Sequence, residues 1–308
     1  MHRPKITVIG SSNTDLVVKT PKLPAPGETI LGSGFVIAPG GKGANQAVAI
    51  ARLGGDVTFV VKLGMDNLGD QSLENFRRDG IGTDFVFRDT ESPSGVALIF
   101  VDDGGENMIV VAQGANARLS PQDIDRARPA IEAADMIVLQ LETPLETVEH
   151  AVAIASQKDV PVILNPAPGR KLERRLIEKI SCLTPNETEA AILTGIRVTD
   201  DDTARKAGTK LLELGAGSVV VTMGKRGAML ITTEGSSLVP VFAVHPVDAT
   251  AAGDAFTGGL AYAIASGRDL RDAVEFANAA AALAVTKMGA QPSMPTRDEL
   301  ERFLDSAA

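Results

Sequence analysis

Short β-branched runs alternate along this chain with longer stretches of helical period. Lys5–Gly10, Val57–Leu63, Met136–Leu141, Val160–Leu164 and Ser218–Thr222 are apolar runs bounded by Gly, Pro, Asp or Asn, and each predicts a strand. Between them, Gly43–Leu53, Leu68–Asp79, Pro121–Ala133, Pro144–Gln157, Leu172–Lys179 and Thr203–Leu214 carry apolar residues at helical spacing, most with polar or Pro starts. Such alternation predicts an α/β fold, a doubly wound, mostly parallel sheet with helices on both faces. Ligands of these sheets sit beyond the carboxyl ends of the strands, so chemistry is sought in the residues just after each run.

Two stretches break the rhythm. Residues 16–39 hold extended pieces interrupted by Pro24, Pro26, Gly27 and Gly32, and residues 94–113 read as a hairpin turning at Asp102–Asn107. In the hairpin Val96, Leu98 and Phe100 face one side and Ala97, Ile99 and Val101 the other, so both faces are apolar. A small sheet of that kind needs cover on both sides. The two stretches are expected to form one β lid, inserted in a single domain spanning 1–308, with one face over a ligand and the other on a second subunit. Extra strands on the main sheet are the alternative. Further on, an apolar helix from Gly253 to Ser266 and an Ala-dense one from Leu270 to Lys287 predict close helix packing.

Composition narrows the function classes. A net charge of −9 without a long basic run argues against nucleic acid and anionic membrane as partners. Aromatic residues make up 4%, with no Trp and one Tyr, too few for a base-stacking surface. The single cysteine, Cys182, cannot close an internal disulfide and reads as a small buried hydrophobe. The apolar run Ile6–Ile9 is too short for a signal sequence, and the expected location is cytoplasmic. His2, His150 and His245 show no spacing for zinc or a catalytic triad and read as surface or packing residues.

The segment richest in chemistry is Asp248-Ala249-Thr250-Ala251-Ala252-Gly253-Asp254, which leads into the helix bearing Phe256, Leu260 and Ile264. Small residues before a helix let free N–H groups approach an anion, with the helix dipole behind them. Asp254 at that start could accept a proton from an attacking hydroxyl, or be an N-cap beside a tight turn. Gly40-Gly41-Lys42-Gly43-Ala44-Asn45-Gln46-Ala47 is a second glycine turn opening a helix; it lacks the Walker A spacing, yet Lys42 could meet a phosphate and Asn45 hydroxyls. Asn13 and Asp15 could clasp vicinal hydroxyls or serve a turn. In Thr184-Pro185-Asn186-Glu187-Thr188-Glu189, Asn186 and Glu189 share one face of a helix start, suited to water-bridged Mg²⁺ or to capping. Thr222-Met223-Gly224-Lys225-Arg226-Gly227 is a strand-end loop able to pass close to ribose and phosphate.

Taken together, these motifs resemble the ribokinase family of sugar kinases, which includes fructokinases of the phosphofructokinase-B type and adenosine kinase. The resemblance runs from Gly10–Asp15 through Gln291-Pro292-Ser293 in the family's order. It implies a large α/β domain with a β lid, ATP-dependent phosphorylation of the D-ribose 5-hydroxyl, and a homodimer in which the lids clasp. By position, Asp254 resembles the general base, and the amides of Ala251, Ala252 and Gly253 resemble the anion hole. Asn13, Asp15, Gly41, Lys42, Asn45 and Glu142 align with sugar-binding positions. Asn186, Thr222, Gly224, Gly227, Gly253 and Asn278 align with nucleotide-binding ones, and Glu189 with the vicinity of Mg²⁺. The family's activating K⁺ maps to Asp248, Thr250, Ala284, Lys287, Gly289 and Ser293. Many relatives carry Gly where this chain has Ala251, a change expected to be tolerated if φ there is negative. Lys225 stands where Ser is frequent.

Three other readings remain open. A 2-deoxyribokinase, or another pentose or nucleoside kinase, shares the frame. A dinucleotide-binding oxidoreductase fits poorly, because Gly10-Ser11-Ser12-Asn13 is not Gly-x-Gly-x-x-Gly. A non-catalytic sugar or nucleotide sensor on the same fold is opposed by the presence of Asp254 and Lys42.

Overall fold

The computed structural model describes residues 3–307. In strand β1 (Lys5–Ile9), Ile6 and Val8 turn into one apolar layer and Ile9 into another. Strand β8 (Met136–Leu139) divides likewise, with Met136 and Val138 on one side and Ile137 and Leu139 on the other, all buried. Burying such side chains contributes about 1.5–3 kcal/mol each, which is why these runs form strands covered on both faces.

They belong to a nine-stranded sheet with β4 (Asp56–Gly64), β5 (Val86–Asp89), β9 (Val162–Leu164), β10 (Cys182–Leu183), β11 (Val219–Thr222), β12 (Ala228–Thr232) and β13 (Gly235–Val239). Its order is β13-β12-β11-β10-β9-β8-β1-β4-β5. Neighbours are parallel except along β11-β12-β13, which are antiparallel. One face packs on α1 (Lys42–Arg52), α2 (Asn67–Arg78), α8 (Ala252–Ala265), α9 (Leu270–Ala284) and α10 (Arg297–Ala307). The other packs on α3 (Pro121–Glu132), α4 (Leu145–Ser156), α5 (Arg174–Ile177), α6 (Glu187–Thr194) and α7 (Asp201–Glu213). This is the expected doubly wound α/β architecture.

Residues 16–39 and 94–113 contribute to a separate four-stranded sheet, not to the edge of the main one. Its strands are β2 (Asn13–Thr20), β3 (Gly34–Gly40), β6 (Gly95–Asp102) and β7 (Asn107–Ala112), in the order β3-β2-β6-β7. The central β2-β6 pair is parallel and the outer pairs antiparallel. Its apolar side chains are uncovered at one end: Phe35, Val36 and Ile37 are 60, 54 and 53% exposed, and Ile109 and Val110 are 53 and 56%.

Local signals misled in places. The expected helix at 172–179 shrinks to α5, where Glu173 makes no side-chain cap. The β12-β13 hairpin carries Ala, Met and Leu, residues that favour helix as readily as strand, so no strand is predicted there. Cys182 is buried, and that burial pushes its thiol up to about 11. His150 meets Asp125 at 2.9 Å, His245 is exposed, and His2 lies outside the described residues. No helix of the described residues is long and apolar enough to cross a membrane.

Candidate active site

Parallel strands deliver their carboxyl ends to one edge of the sheet. The segments that follow β1, β8, β9, β10 and β11 there carry Ser11, Glu142, Asn165, Asn186 and Met223 respectively. A cavity of about 180 Å³ opens at this edge, lined by Lys42, Asn165, Ala167, Thr184, Asn186, Glu189, Thr222, Ala249, Ala251, Ala252, Gly253 and Asp254.

Helix α8 starts at the cavity. Its N-cap is Ala251, with no side-chain cap, and the N–H groups of Ala251 and Gly253 have no partner among the described residues. These donors, at the positive end of a 14-residue helix, are arranged for an anion. A Cβ built on Gly253 would meet nothing within 4 Å, so this glycine leaves room inside the cavity rather than relieving a clash. Ala251 corrects one expectation: its φ is +59°, left-handed, not negative. This chain holds an alanine in a conformation that glycine adopts without strain.

Asp254 is not the cap. It lies inside the first turn, and its carboxylate faces α1, where Asn45 Nδ2 donates to Oδ2 at 2.8 Å and Gln46 Nε2 to Oδ1 at 3.0 Å. At the start of α1, Gly41 has φ +89°, and a Cβ there would lie 2.5 Å from the Asn13 nitrogen. The turn therefore packs directly on the chain leaving β1, and only glycine permits that approach. Glu142 accepts hydrogen bonds from Ser11 Oγ and, at 3.1 Å, from the Lys42 N–H. Asp254 above all, then Glu142 and Glu189, raise the Lys42 pKa against the opposing effect of burial.

Asn13 and Asp15 sit on β2, in the small sheet, rather than in a turn. Asn13 Oδ1 accepts from Asn116 Nδ2 at 2.8 Å. The Asp15 carboxylate has no hydrogen-bond partner among the described residues and lies over Gly40, where a Cβ would fall 2.4 Å from Oδ2. Burial first, then the charges of Glu142 and Asp254, push its carboxyl up to about 7.

Asn186 and Glu189 form a capping box at α6, Asn186 Oδ1 accepting from the Glu189 N–H at 2.8 Å and Glu189 Oε2 from the Asn186 N–H at 2.9 Å. Both also line the cavity, so capping and ligand contact share one motif; burial raises the Glu189 pKa. Thr222 pairs with Asn186 as an isolated bridge. Gly224 and Gly227 both have positive φ, in the loop after β11. Asn278 is not brought to the cavity wall: its Nδ2 donates to the carbonyls of Val239 and Pro240, each at 3.1 Å.

Asp248, Thr250 and Gly289 meet beside the cavity. Asp248 Oδ1 accepts from the Thr250 N–H and hydroxyl, and Oδ2 from the Gly289 N–H at 2.9 Å. Partial burial opposes ionisation of Asp248, but these donors together outweigh it and lower its pKa. Ala284 ends α9, the Lys287 ammonium turns away to Glu299 at 2.7 Å, and the Ser293 hydroxyl donates to the Ala290 carbonyl. Sequence reasoning missed Ser11, Gln46, Asn116, Gln140 and Asn165. The available signal was a polar side chain directly after an all-apolar strand, as at Gln140 and Asn165.

The chain is 43% identical to a ribokinase of Haemophilus influenzae over 99% of its own length and 100% of that protein. It is 41% identical to a deoxyribokinase of Salmonella typhimurium, covering 97% of this chain and 98% of that one. The solved structure of an Arabidopsis thaliana ribokinase complexed with ribose and ATP superposes with a TM-score of 0.91 at 32% identity, covering 98 and 99% of the two chains. The family model of the pfkB family carbohydrate kinases matches residues 3–297, and the chain belongs to that family.

Proposed function

We infer that this protein is a ribokinase, transferring the γ-phosphoryl group of MgATP to the 5-hydroxyl of D-ribose to give ribose 5-phosphate and ADP. The observation that carries this reading is the placement of the Asp254 carboxylate beside the unpartnered Gly253 N–H in one cavity. Ribose would be held by Asn13, Asp15, Gly41, Lys42, Asn45 and Glu142, with its 5-hydroxyl against Asp254. The nucleotide would lie along Asn186, Thr222, Gly224 and Gly227, with Asn278 supporting the segment after β13 from behind. As the hydroxyl oxygen bonds to the γ-phosphorus and the bond to ADP breaks, the hydroxyl proton passes to Asp254. Charge on the transferring group would be met by the Ala251 and Gly253 amides and Lys42; the Ala252 N–H, also expected in the anion hole, donates instead to the Ala249 carbonyl at 3.3 Å. Little else is asked of the protein in phosphoryl transfer beyond positioning and electrostatics.

The Mg²⁺ arrives with ATP, and Glu189 has one carboxylate oxygen outside the capping box to face its water shell. For a monovalent cation, the donor set at Asp248, Thr250, Ala284, Lys287, Gly289 and Ser293 is carboxylate, hydroxyl and main-chain oxygen at the negative end of α9. That chemistry suits K⁺, which would supply a fixed positive charge beside the 249–253 turn. The small sheet would act as a lid over the sugar, inserted in a single domain. Its exposed Phe35, Ile37, Ile109 and Val110 fit a homodimer of clasped lids. A cytoplasmic location, where ATP is plentiful, completes the reading.

The similarity to a deoxyribokinase keeps 2-deoxyribose as a second reading. The test is ADP release with MgATP and K⁺ against ribose, 2-deoxyribose, fructose, adenosine and no sugar. Ribose-dependent ADP with 5-phosphorylated product is expected; faster turnover on 2-deoxyribose would transfer the assignment, and no sugar-dependent ADP from folded protein would end it.

A further inference from the structure

We propose that Gln46 is a positioning residue for the base Asp254, itself held in orientation by Gln140. Gln46 is fully buried, and its amide spans three other side chains, Asp254, Gln140 and, through a longer bond of 3.3 Å from Nε2 to Oδ1, Asn165. Nε2 donates to Asp254 Oδ1 at 3.0 Å, while Oε1 accepts from Gln140 Nε2 at 2.7 Å. The direction of this chain is determined by its end. Carboxylate oxygens only accept, so Gln46 must turn its NH₂ towards Asp254 and its carbonyl towards Gln140, which must then donate. Gln140 is also fully buried, and its Oε1 has no hydrogen-bond partner; it lies against Gly10, where a Cβ would come within 2.0 Å of it. A buried acceptor left unmatched is costly, and its retention here is explained if the donated bond to Gln46 is what the site requires.

Asn45 and Gln46 are successive residues of α1 and leave the helix about 100° apart. The longer Gln side chain lets both amides converge on one carboxylate, one on each oxygen. Two donors on two oxygens fix the plane of the carboxylate and leave a lone pair on each oxygen for an incoming hydroxyl. The spacing between helices is set nearby: a Cβ on Gly258 of α8 would lie 2.7 Å from Ala49 Cβ and 3.2 Å from the Gln46 carbonyl. Gln46 reaches the cavity only through other side chains, chiefly Asp254 and, by the longer bond, Asn165.

The proposal rests on Asp254 being the base, and a double-mutant cycle separates the two claims. Gln46→Met, Asp254→Asn and the double variant are assayed for kcat and ribose KM in the full-length enzyme. The expected result is a kcat loss of about tenfold to a hundredfold in Gln46→Met, the scale of a lost hydrogen bond to a charged group, with KM within about threefold. In the Asp254→Asn background the same substitution should cost less than about twofold. Equal fractional loss in both backgrounds, a KM rise at constant kcat, or unchanged turnover overturns the positioning role. Near-normal turnover of Asp254→Asn alone overturns the base and the proposal with it. Should Gln46→Met fail to fold, Gln140→Met is run through the same cycle and judged by the same criteria.

Discussion

Strands β8 and β7 are both short runs of Met, Ile, Val and small or aliphatic neighbours, yet every side chain of β8 is buried and all six residues of β7 are exposed. The main sheet is roofed on both sides by its own helices. The described residues leave the small sheet more than half exposed over Phe35–Ile37 and Ile109–Val110. The same division runs through the site. The Asp254, Glu142 and Glu189 carboxylates, carried by the main-sheet side, are each tied by donors, whereas the Asp15 carboxylate on β2 has no hydrogen-bond partner among the described residues. On the proposed reading, the proton acceptor and the carboxylate facing Mg²⁺ thus stand on the closed scaffold, as does Glu142, while the sugar contact Asp15 stands on the open one.

The sharpest way to break this comparison is at Asp254. Asp254→Asn keeps the shape and is expected to lower kcat by about 10²–10⁴-fold while ribose binding, followed by calorimetry, persists. Next comes the contrast in packing. Phe59, fully buried and edge-on to Phe76 at 5.1 Å, should cost about 3–5 kcal/mol when changed to Ala. Ile109→Ala should alter the stability of dilute protein by about 0.5 kcal/mol or less while weakening self-association measured by sedimentation. Similar destabilisation at both positions would mean the two sheets are not differently covered.

A third effect is set by pH. The Asp15 carboxyl is raised from 3.8 to about 7, so the native state holds a proton that the unfolded chain has released. The contribution to folding stability is therefore present below about pH 4 and is lost as pH rises towards 7. A sugar whose hydroxyls donate to Asp15 prefers the ionised form, so ribose affinity should rise through pH 7 with proton release on binding. Calorimetry in two buffers of different ionisation enthalpy reads that proton; pH-independent binding with no release would remove Asp15 from the sugar contacts. A modest effect of the opposite sign is expected at Ala251, whose φ of +59° disfavours any side chain. Ala251→Gly should raise stability by about 0.5–1 kcal/mol, the left-handed penalty less the added freedom of the unfolded chain, read from the denaturant midpoint.

Much of this was legible in the sequence for a plain reason: β-branched runs covered on both faces look alike wherever they occur, and glycine turns that open helices at strand ends have few other uses. The α/β architecture and the stretches of the small sheet followed from period. The backbone angle of Ala251 did not, because the left-handed turn is imposed by the 248–255 loop as a whole rather than by alanine. Nor did the Gln140-Gln46-Asp254 chain, which joins residues 94 and 208 positions apart. A lone glutamine in an apolar helix face carries no local sign of what it will meet. Asn278 shows the converse: its position was singled out, and the structure gives its amide a supporting contact instead.

Gly253 has a consequence of a different sort. Because a Cβ there touches no protein atom, alanine would be accommodated by the fold and would favour the first turn of α8. On the proposed reading, that gain in helix stability would come at the expense of the space in which the Gly253 N–H meets the transferring group, so sturdiness and activity pull this position in opposite directions.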